Sequence, residues 1–292
     1  MDVVVTGRML TQALVSGLLM GAVYALIALG LTMTFGVMRV INVAHGESLM
    51  LGAFTTYFLF ATLGLSPLAG LLLAPPLMFL LGVAIQKVIL ERVVERIETS
   101  SFIVTFGISL VLVNLAIYHW TTDFKAISYL TGSWELGGIA FPLPRLVSSA
   151  LALAITGGAF AFLKWSWLGK AIRATAQSHE VAQVCGVNIR QIYLLTFGLA
   201  SALAAAAGVL VSLMFSIYPE MGPTYLLKCF AVVVLGGMGN FLGAFLGALI
   251  LGSVESIGTL YLGSEAGAAI SFSVLVLVLL VRPSGLLGVA RE

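Results

Sequence analysis

Long stretches without any charged residue or histidine dominate this chain of 292 residues. Seven of them have 16 or more residues, at 9–38, 48–86, 99–118, 146–163, 191–219, 229–254 and 266–281. The hydrocarbon core of a bilayer is about 30 Å thick and takes roughly 20 apolar helical residues to cross. Stretches of this length, separated by short charged segments, are typical of an integral membrane protein.

Helices are the predicted spanning elements. Inside lipid only helices and closed barrels satisfy every backbone hydrogen bond, and the apolar stretches lack the alternation of barrel strands. The stretch 48–86 is long enough for two crossings and is interrupted by Pro67 near its middle. We therefore predict an all-α integral membrane fold, a polytopic bundle of about eight transmembrane helices.

Broken or re-entrant segments belong to this prediction. Gly236, Gly237 and Gly239 lie within the apolar region 225–262, and glycine costs about 1 kcal/mol in a helix interior relative to alanine. The region is compatible with one crossing, two crossings or a broken pair.

Charge in the short loops predicts the orientation, because Lys and Arg concentrate on the cytoplasmic side. The segment 164–190 carries four basic residues against Glu180 alone, and two predicted spans separate it from the segment 87–98. Both are predicted to face the cytoplasm. The loop 121–145 has two basic and two acidic residues and is predicted outside. Arg282 and Arg291 favour a cytoplasmic C-terminus, and the side of the N-terminus stays open.

The whole chain, 1–292, is predicted to be one transmembrane domain. Its longest polar connections have fewer than 30 residues, too few for an independently stable fold. A G-x-x-x-x-G-K-[ST] phosphate loop is absent from the sequence, so another chain would have to bind ATP. Two cysteines do not suggest a disulfide framework.

A short amphipathic helix is predicted in the segment 164–190. Ser178 can cap its start, Glu180 suits its first turn and Gly186 can end it. Val181, Val184 and Cys185 fall on one face at helical spacing. This apolar stripe either contacts a partner or lies back on the protein's own spans or the lipid surface.

A polar interruption separates the first two apolar stretches and consists of Asn42, His45, Gly46 and Glu47. Irregular backbone near a membrane is tolerated where it is buried in protein or lines water. These residues are candidates for the translocation path, and the alternative is a plain cytoplasmic turn. His45 and Glu47 lack a third ligand at recognisable spacing, so we predict no metal site.

The glycines near the C-terminus allow two interpretations. Gly236 and Gly237 can bring backbone groups close to a substrate, as in broken transporter helices, or can allow tight packing. Gly239, Gly243 and Gly247 recur every four residues, which is typical of close helix packing.

Three sequence blocks resemble a known family. The pattern Glu180-Val181-Ala182 followed by Gly186 is similar to the coupling motif of ABC importer permeases, which contacts the ATPase. The runs YALIALGLT at 24–32 and FGVMRVINVAHGE at 35–47 resemble the signature of branched-chain amino acid permeases. So do VLGGMGN at 234–240 and GAFLG at 243–247.

The resemblance implies the shorter permease of an ATP-driven importer in a bacterial-type inner membrane. In such an importer this chain and a sister permease form a heterodimer, which works with two cytoplasmic ATPases and an extracytoplasmic substrate-binding protein. The chain itself would catalyse no reaction, hold no cofactor and bind no nucleic acid, since ATP and Mg²⁺ belong to the ATPases. The implied ATPase contact consists of Ser178, Glu180, Val181, Ala182, Val184, Cys185 and Gly186.

Branched-chain amino acids are the implied substrates, and related permeases carry urea, short amides or other amino acids. A gradient-driven secondary transporter is the alternative of another class. It would favour paired carboxylates within the spans, where Glu255 is the one candidate. A membrane hydrolase ranks third, because the chain has neither a G-x-S-x-G elbow nor an H-E-x-x-H helix.

Overall fold

The computed structural model describes residues 7–92, 98–282 and 284–288. Within this part of the chain there are eleven α-helices and one β-hairpin. The helices are α1 (Gly7–Met38), α2 (His45–Leu63), α3 (Gly70–Val88), α4 (Glu98–Trp120), α5 (Leu143–Trp165), α6 (Trp167–Gln177), α7 (His179–Val184), α8 (Ile189–Ser212), α9 (Met221–Gly236), α10 (Phe241–Leu262) and α11 (Ser264–Val281). The strands are β1 (Ser133–Leu136) and β2 (Ile139–Pro142), paired antiparallel. Residues 93–97 of the predicted cytoplasmic segment 87–98 lie outside the described residues, as does Arg291.

The helices confirm the predicted polytopic helical membrane fold. Among the described residues, six helical stretches are long and apolar enough to cross a bilayer. Three more helices, α2, α9 and α11, contain 19, 16 and 18 residues. At 1.5 Å per residue, α9 is about 24 Å long and falls short of a full crossing.

Pro67 divides the long apolar stretch 48–86, as the sequence predicts. Helix α2 ends at Leu63, and Gly64 follows with a left-handed φ of 64° while its N–H bonds to the Leu59 carbonyl. A 3-10 turn, Pro67–Ala69, then leads into α3. Proline fixes its own φ and has no N–H, so it suits the first position of this new turn.

Helix α1 runs between the two ends of the bundle. At one end the Gln12 side chain donates to the Ala140 carbonyl (2.6 Å) and accepts from the Ala140 N–H (2.9 Å) in the β-hairpin. At the other end His179 Nε2 lies 2.8 Å from the Val37 carbonyl oxygen. Loop charge predicts that the hairpin lies outside, and on that prediction the end of α1 at Gly7 is named the outer end and the end at Met38 the cytoplasmic end.

Helices α9 and α10 form a broken pair joined by a glycine turn. Gly237 adopts φ 104° and Gly239 φ 82°, and the Asn240 side chain caps α10 by accepting from the Gly243 N–H at 3.0 Å. The C-terminal segment bonds to this turn, with the Leu286 N–H donating to the Leu235 carbonyl at 2.8 Å. After the segment 164–190 the chain passes along the bundle four times, through α8, α9 with the loop that precedes it, α10 and α11, and so returns to the end where that segment lies.

Close contacts between small residues hold α1 at the centre of the bundle. A Cβ on Gly17 would lie 2.6 Å from the Gly252 carbonyl oxygen, and one on Gly21 would lie 2.8 Å from the Leu249 Cα. Lipid supplies no hydrophobic force between helices, so packing at this distance is a main source of their association.

Candidate translocation path and coupling surface

The predicted coupling helix is α7. Ser178 accepts a hydrogen bond from the Val181 N–H at 3.3 Å and caps the helix, and Gly186 follows its end with φ 83°. Val181 and Val184 are 63% and 89% exposed. Cys185 and Glu180 are also exposed, whereas Ala182 is buried. The helix therefore presents an apolar stripe to its surroundings and uses Ala182 to pack on the bundle.

His179 attaches this helix to the first span. Its Nε2 contacts the Val37 carbonyl at the last turn of α1, and its ring meets Tyr193 of α8 edge-on with centroids 5.8 Å apart. Arg190 forms a salt bridge with Glu91, which links the segment 164–190 to the 3-10 turn that follows α3. These contacts connect the segment 164–190 to α1, to α8 and to the turn that follows α3.

The polar residues before and at the start of α2 lie inside the protein, not in a cytoplasmic turn. Asn42, His45 and Glu47 are 1%, 0% and 0% exposed. His45 Nε2 lies 3.0 Å from the Ile27 carbonyl oxygen in the middle of α1. Ser109, at the midpoint of α4, donates to Glu47 Oε1 at 2.9 Å. Helix α2 thus begins within the bundle.

Hydrogen-bonding atoms in this buried cluster remain without partners. They are Asn42 Oδ1, His45 Nδ1 and Glu47 Oε2. Gly46 and Gly222 bring the start of α9 against the start of α2, and a Cβ on Gly222 would lie 2.4 Å from Glu47 Oε2. Buried polar groups without partners are costly and uncommon, so this junction of two short helices is a candidate moving part of the path.

The candidate glycines near the C-terminus make backbone contacts of different kinds. Gly236 and Gly243 pack α9 on α10, since a Cβ on Gly243 would lie 2.1 Å from the Gly236 carbonyl oxygen. Gly247 extends that contact toward Val232. Gly237 faces the backbone of Gly288, whereas Gly239 faces Gly36 of α1 from the turn.

Two cavities lie at opposite ends of the same four helices, α1, α5, α9 and α10. The outer cavity, of about 550 Å³, is lined by side chains that include Ser16, Arg145, Thr224, Lys228 and Glu255. The inner cavity, of about 1560 Å³, opens at the cytoplasmic end and is lined by residues that include Phe35, Phe160, Lys164, Val234, Phe241 and Arg282. The two cavities are therefore candidate ends of a translocation path along these four helices.

An ion pair joins the helices that line the outer cavity. Lys228 Nζ donates to Glu255 Oε1 at 2.6 Å and to the Tyr24 hydroxyl at 2.9 Å. The Tyr24 hydroxyl donates to Glu255 Oε2 at 3.0 Å. The Lys228 and Glu255 side chains are each 19% exposed.

The family profile described as branched-chain amino acid transport system / permease component matches residues 13–281. The chain belongs to this permease family. The polytopic bundle of apolar helices described above agrees with a membrane permease.

Curated relatives extend the likeness over nearly the whole permease. This chain is 32% identical to the high-affinity branched-chain amino acid transport system permease protein LivH of Escherichia coli (strain K12), over 95% of each chain. Its identity to the corresponding protein BraD of Pseudomonas aeruginosa is also 32%, over 95% of each chain. It is 27% identical to a probable branched-chain amino acid transport permease protein LivH of Methanocaldococcus jannaschii, over 90% of this chain and 88% of that one. The ribose import permease protein RbsC of Escherichia coli (strain K12) is 29% identical over 60% of this permease. No solved structure matches significantly.

The structure brings three residues that the sequence did not single out into contact at candidate functional positions. Lys228 and Tyr24 join Glu255 in the outer cavity, although 204 positions separate Tyr24 from Lys228. His179 lies 142 positions from its partner Val37. A charge inside an apolar helix was the available signal for Lys228, whereas Tyr24 and His179 carry no comparable local signal.

Proposed function

We propose that this permease moves branched-chain amino acids inward across a bacterial-type inner membrane by alternating access, driven by partner ATPases. The names of the full-length relatives support the substrate class. The observation that carries the mechanism is the pair of cavities at opposite ends of α1, α5, α9 and α10. A substrate released into the outer cavity would reach the inner one when these helices change their packing.

The proposed partners follow from the two ends of the bundle. The β-hairpin end faces a substrate-binding protein, and α7 faces an ATPase that binds ATP and Mg²⁺. A sister permease would complete the membrane unit as a heterodimer, with a second ATPase beneath it. The exposed Val181 and Val184 support the ATPase contact, since an apolar patch rimmed by polar residues marks a protein interface.

Coupling would proceed through α7. ATP-driven closure of the ATPases displaces the helix, and the His179 contact transfers this displacement to the last turn of α1. Because α1 packs on α5, α8, α9 and α10, its movement changes the walls of both cavities. The junction between Gly46 and Gly222 offers a hinge, since two helices begin there inside the bundle.

Reconstitution of the permease with candidate sister, ATPase and binding-protein subunits tests this proposal. Leucine, isoleucine and valine uptake into proteoliposomes should require ATP, and urea or short amides should not replace these substrates. Uptake without ATPase subunits would instead indicate a gradient-driven carrier, and uptake of urea or amides alone would reassign the substrate.

The coupling surface is tested with Val184→Glu, which places a charge on a side chain that is 89% exposed. We expect normal folding but loss of ATPase copurification and of uptake. Leu136→Glu, on a strand residue that is 59% exposed at the opposite end, is the matched control for ATPase copurification. Equal ATPase binding by both variants would contradict the assignment of α7.

A further inference from the structure

The stability of the fold does not require the ion pair in the outer cavity. Lys228, Glu255 and Tyr24 lie on three helices, within the apolar part of the bundle, and bond to one another at 2.6 to 3.0 Å. Replacing such a buried pair by well-packed apolar residues is often neutral or stabilising. Ionisable residues within membrane spans are therefore functional candidates by default.

The cavity keeps these charges accessible from the outer end. Lys228 and Glu255 each retain 19% side-chain exposure, and both line the cavity beside Ser216 and Tyr218 of the loop between α8 and α9. A volume of about 550 Å³ falls within the range of about 300–1,000 Å³ that small-molecule sites occupy. The charged groups can thus meet a solute that enters from the side of the binding protein.

A third charge makes the cavity asymmetric. Arg145, at the start of α5, lines the same cavity, and no carboxylate among the described residues forms a salt bridge with it. The site therefore combines two cations, Lys228 and Arg145, with one anion, Glu255. It offers a carboxylate two partners and an ammonium group one.

We propose that the outer cavity binds the charged backbone of a zwitterionic amino acid, an inference that rests on the proposed function. Lys228 and Arg145 receive the α-carboxylate, and Glu255 receives the α-ammonium group. Tyr24, which already bonds to both members of the pair, orients them. The pair separates just enough to insert the zwitterion, so that each charge exchanges one partner for another.

This arrangement selects for the charged α-amino and α-carboxyl groups of the substrate and not for its side chain. Lining groups such as Met20, Phe215 and Tyr225 leave an apolar space for the substrate side chain. Urea and short amides carry no charge and cannot replace both halves of the ion pair. An amino acid blocked at its amino or carboxyl group loses one of the two interactions.

Uptake of leucine by the assembled importer, at saturating binding protein, tests the site through two single variants. Glu255→Gln keeps the shape and a hydrogen-bond acceptor but removes the anion, and Lys228→Met removes the cation. Each should lower uptake at least about tenfold, the cost expected for one charge-assisted hydrogen bond, with assembly and ATP hydrolysis retained. Lys87→Met makes the same chemical change as Lys228→Met on an exposed residue in the last turn of α3 and should transport like the wild type.

Exchanging the two charges distinguishes a role in substrate recognition from a purely structural role of the ion pair. The double variant Lys228→Glu with Glu255→Lys preserves an ion pair but reverses its direction relative to Arg145. An assembled double variant whose uptake stays as low as that of the single variants supports recognition of the zwitterion. Restored uptake, or wild-type uptake by Glu255→Gln, overturns it.

A labelling experiment leaves the ion pair intact and decides the question if the charge variants fail to assemble. Thr224→Cys places a thiol in the outer cavity, where a membrane-impermeant thiol reagent added outside can reach it. Millimolar leucine should slow its modification, whereas N-acetyl-leucine amide should not. Equal protection by both compounds, or by neither, overturns the proposal.

The two proposals fail in different ways. If the wild-type importer takes up no branched-chain amino acid, the proposed function is wrong. If the wild type transports leucine and Glu255→Gln transports it equally well, only the assignment of the outer cavity is wrong.

Discussion

Replacement of Gly46 by alanine tests the junction between α2 and α9. A Cβ at Gly46 would lie 2.3 Å from the carbonyl oxygen of Gly222 and 2.7 Å from its carbonyl carbon. Ordinary van der Waals contact begins near 3.4 Å, so the two backbones must separate by roughly 1 Å. Side-chain rotation cannot relieve this contact, because backbone atoms lie on both sides.

Overpacking of this kind costs about 1–3 kcal/mol, while alanine gains up to about 1 kcal/mol in helix propensity over glycine. Gly107→Ala isolates the second contribution, since a Cβ at Gly107 in α4 would meet no atom within 4 Å. We therefore expect Gly46→Ala to be less stable than Gly107→Ala by about 1–3 kcal/mol. At roughly 2–4 °C per kcal/mol, this difference lowers the melting temperature by several degrees.

Thermal unfolding of the two purified variants in detergent measures this difference, and leucine uptake by the assembled importer measures its functional effect. The added methyl group at position 46 displaces α9 and so moves the Gly222 backbone away from Glu47. We therefore expect leucine uptake to fall together with the melting temperature. If Gly46→Ala melts at or above the temperature of Gly107→Ala, the close approach of α2 and α9 is not a feature of the folded permease.

Three further changes test the buried cluster and the coupling helix. Ser109→Ala removes the hydroxyl that donates to Glu47 and should destabilise the protein by about 1–3 kcal/mol. Glu47→Gln keeps an acceptor for Ser109 and should destabilise it less. Equal melting temperatures of the two variants would contradict this. His179→Ala removes the contact with Val37 and should lower the ratio of leucine imported to ATP hydrolysed without loss of assembly. Rescue by His179→Gln is expected, and an unchanged ratio in the alanine variant would argue against mechanical transfer through this contact. Gly186→Ala should weaken ATPase binding, because φ 83° costs an L-residue about 1–2 kcal/mol; copurification at the wild-type level would exclude this effect.

Local features of the fold could be predicted because they depend on neighbours in sequence. Pro67 interrupts a helix through its own ring and missing N–H, and Ser178 caps α7 through an N–H three residues away. The apolar stripe at Val181 and Val184 follows from the helical repeat. Each of these signals acts within one or two turns of the chain.

The candidate path was predicted less completely. The sequence marked Asn42, His45 and Glu47 as a polar interruption but was also compatible with a cytoplasmic turn. The position of a segment along the chain does not reveal how deeply it lies in the membrane. Their burial depends on the segment 39–44 folding back along α1, which brings His45 to Ile27. A two-stranded hairpin in the loop 121–145 was likewise not predicted, since both its strands have only four residues.

The amino-acid sequence by itself determined that this chain spans a membrane with helices, which loops carry the cytoplasmic charge and where a short coupling helix begins and ends. Its uncharged stretches can satisfy their backbone only as helices in lipid, and caps act through adjacent residues. The tertiary structure alone decided that Tyr24, Lys228 and Glu255 meet, across separations of up to 231 positions. Such contacts depend on the rotation and crossing of whole helices, which close packing of many small residues sets together.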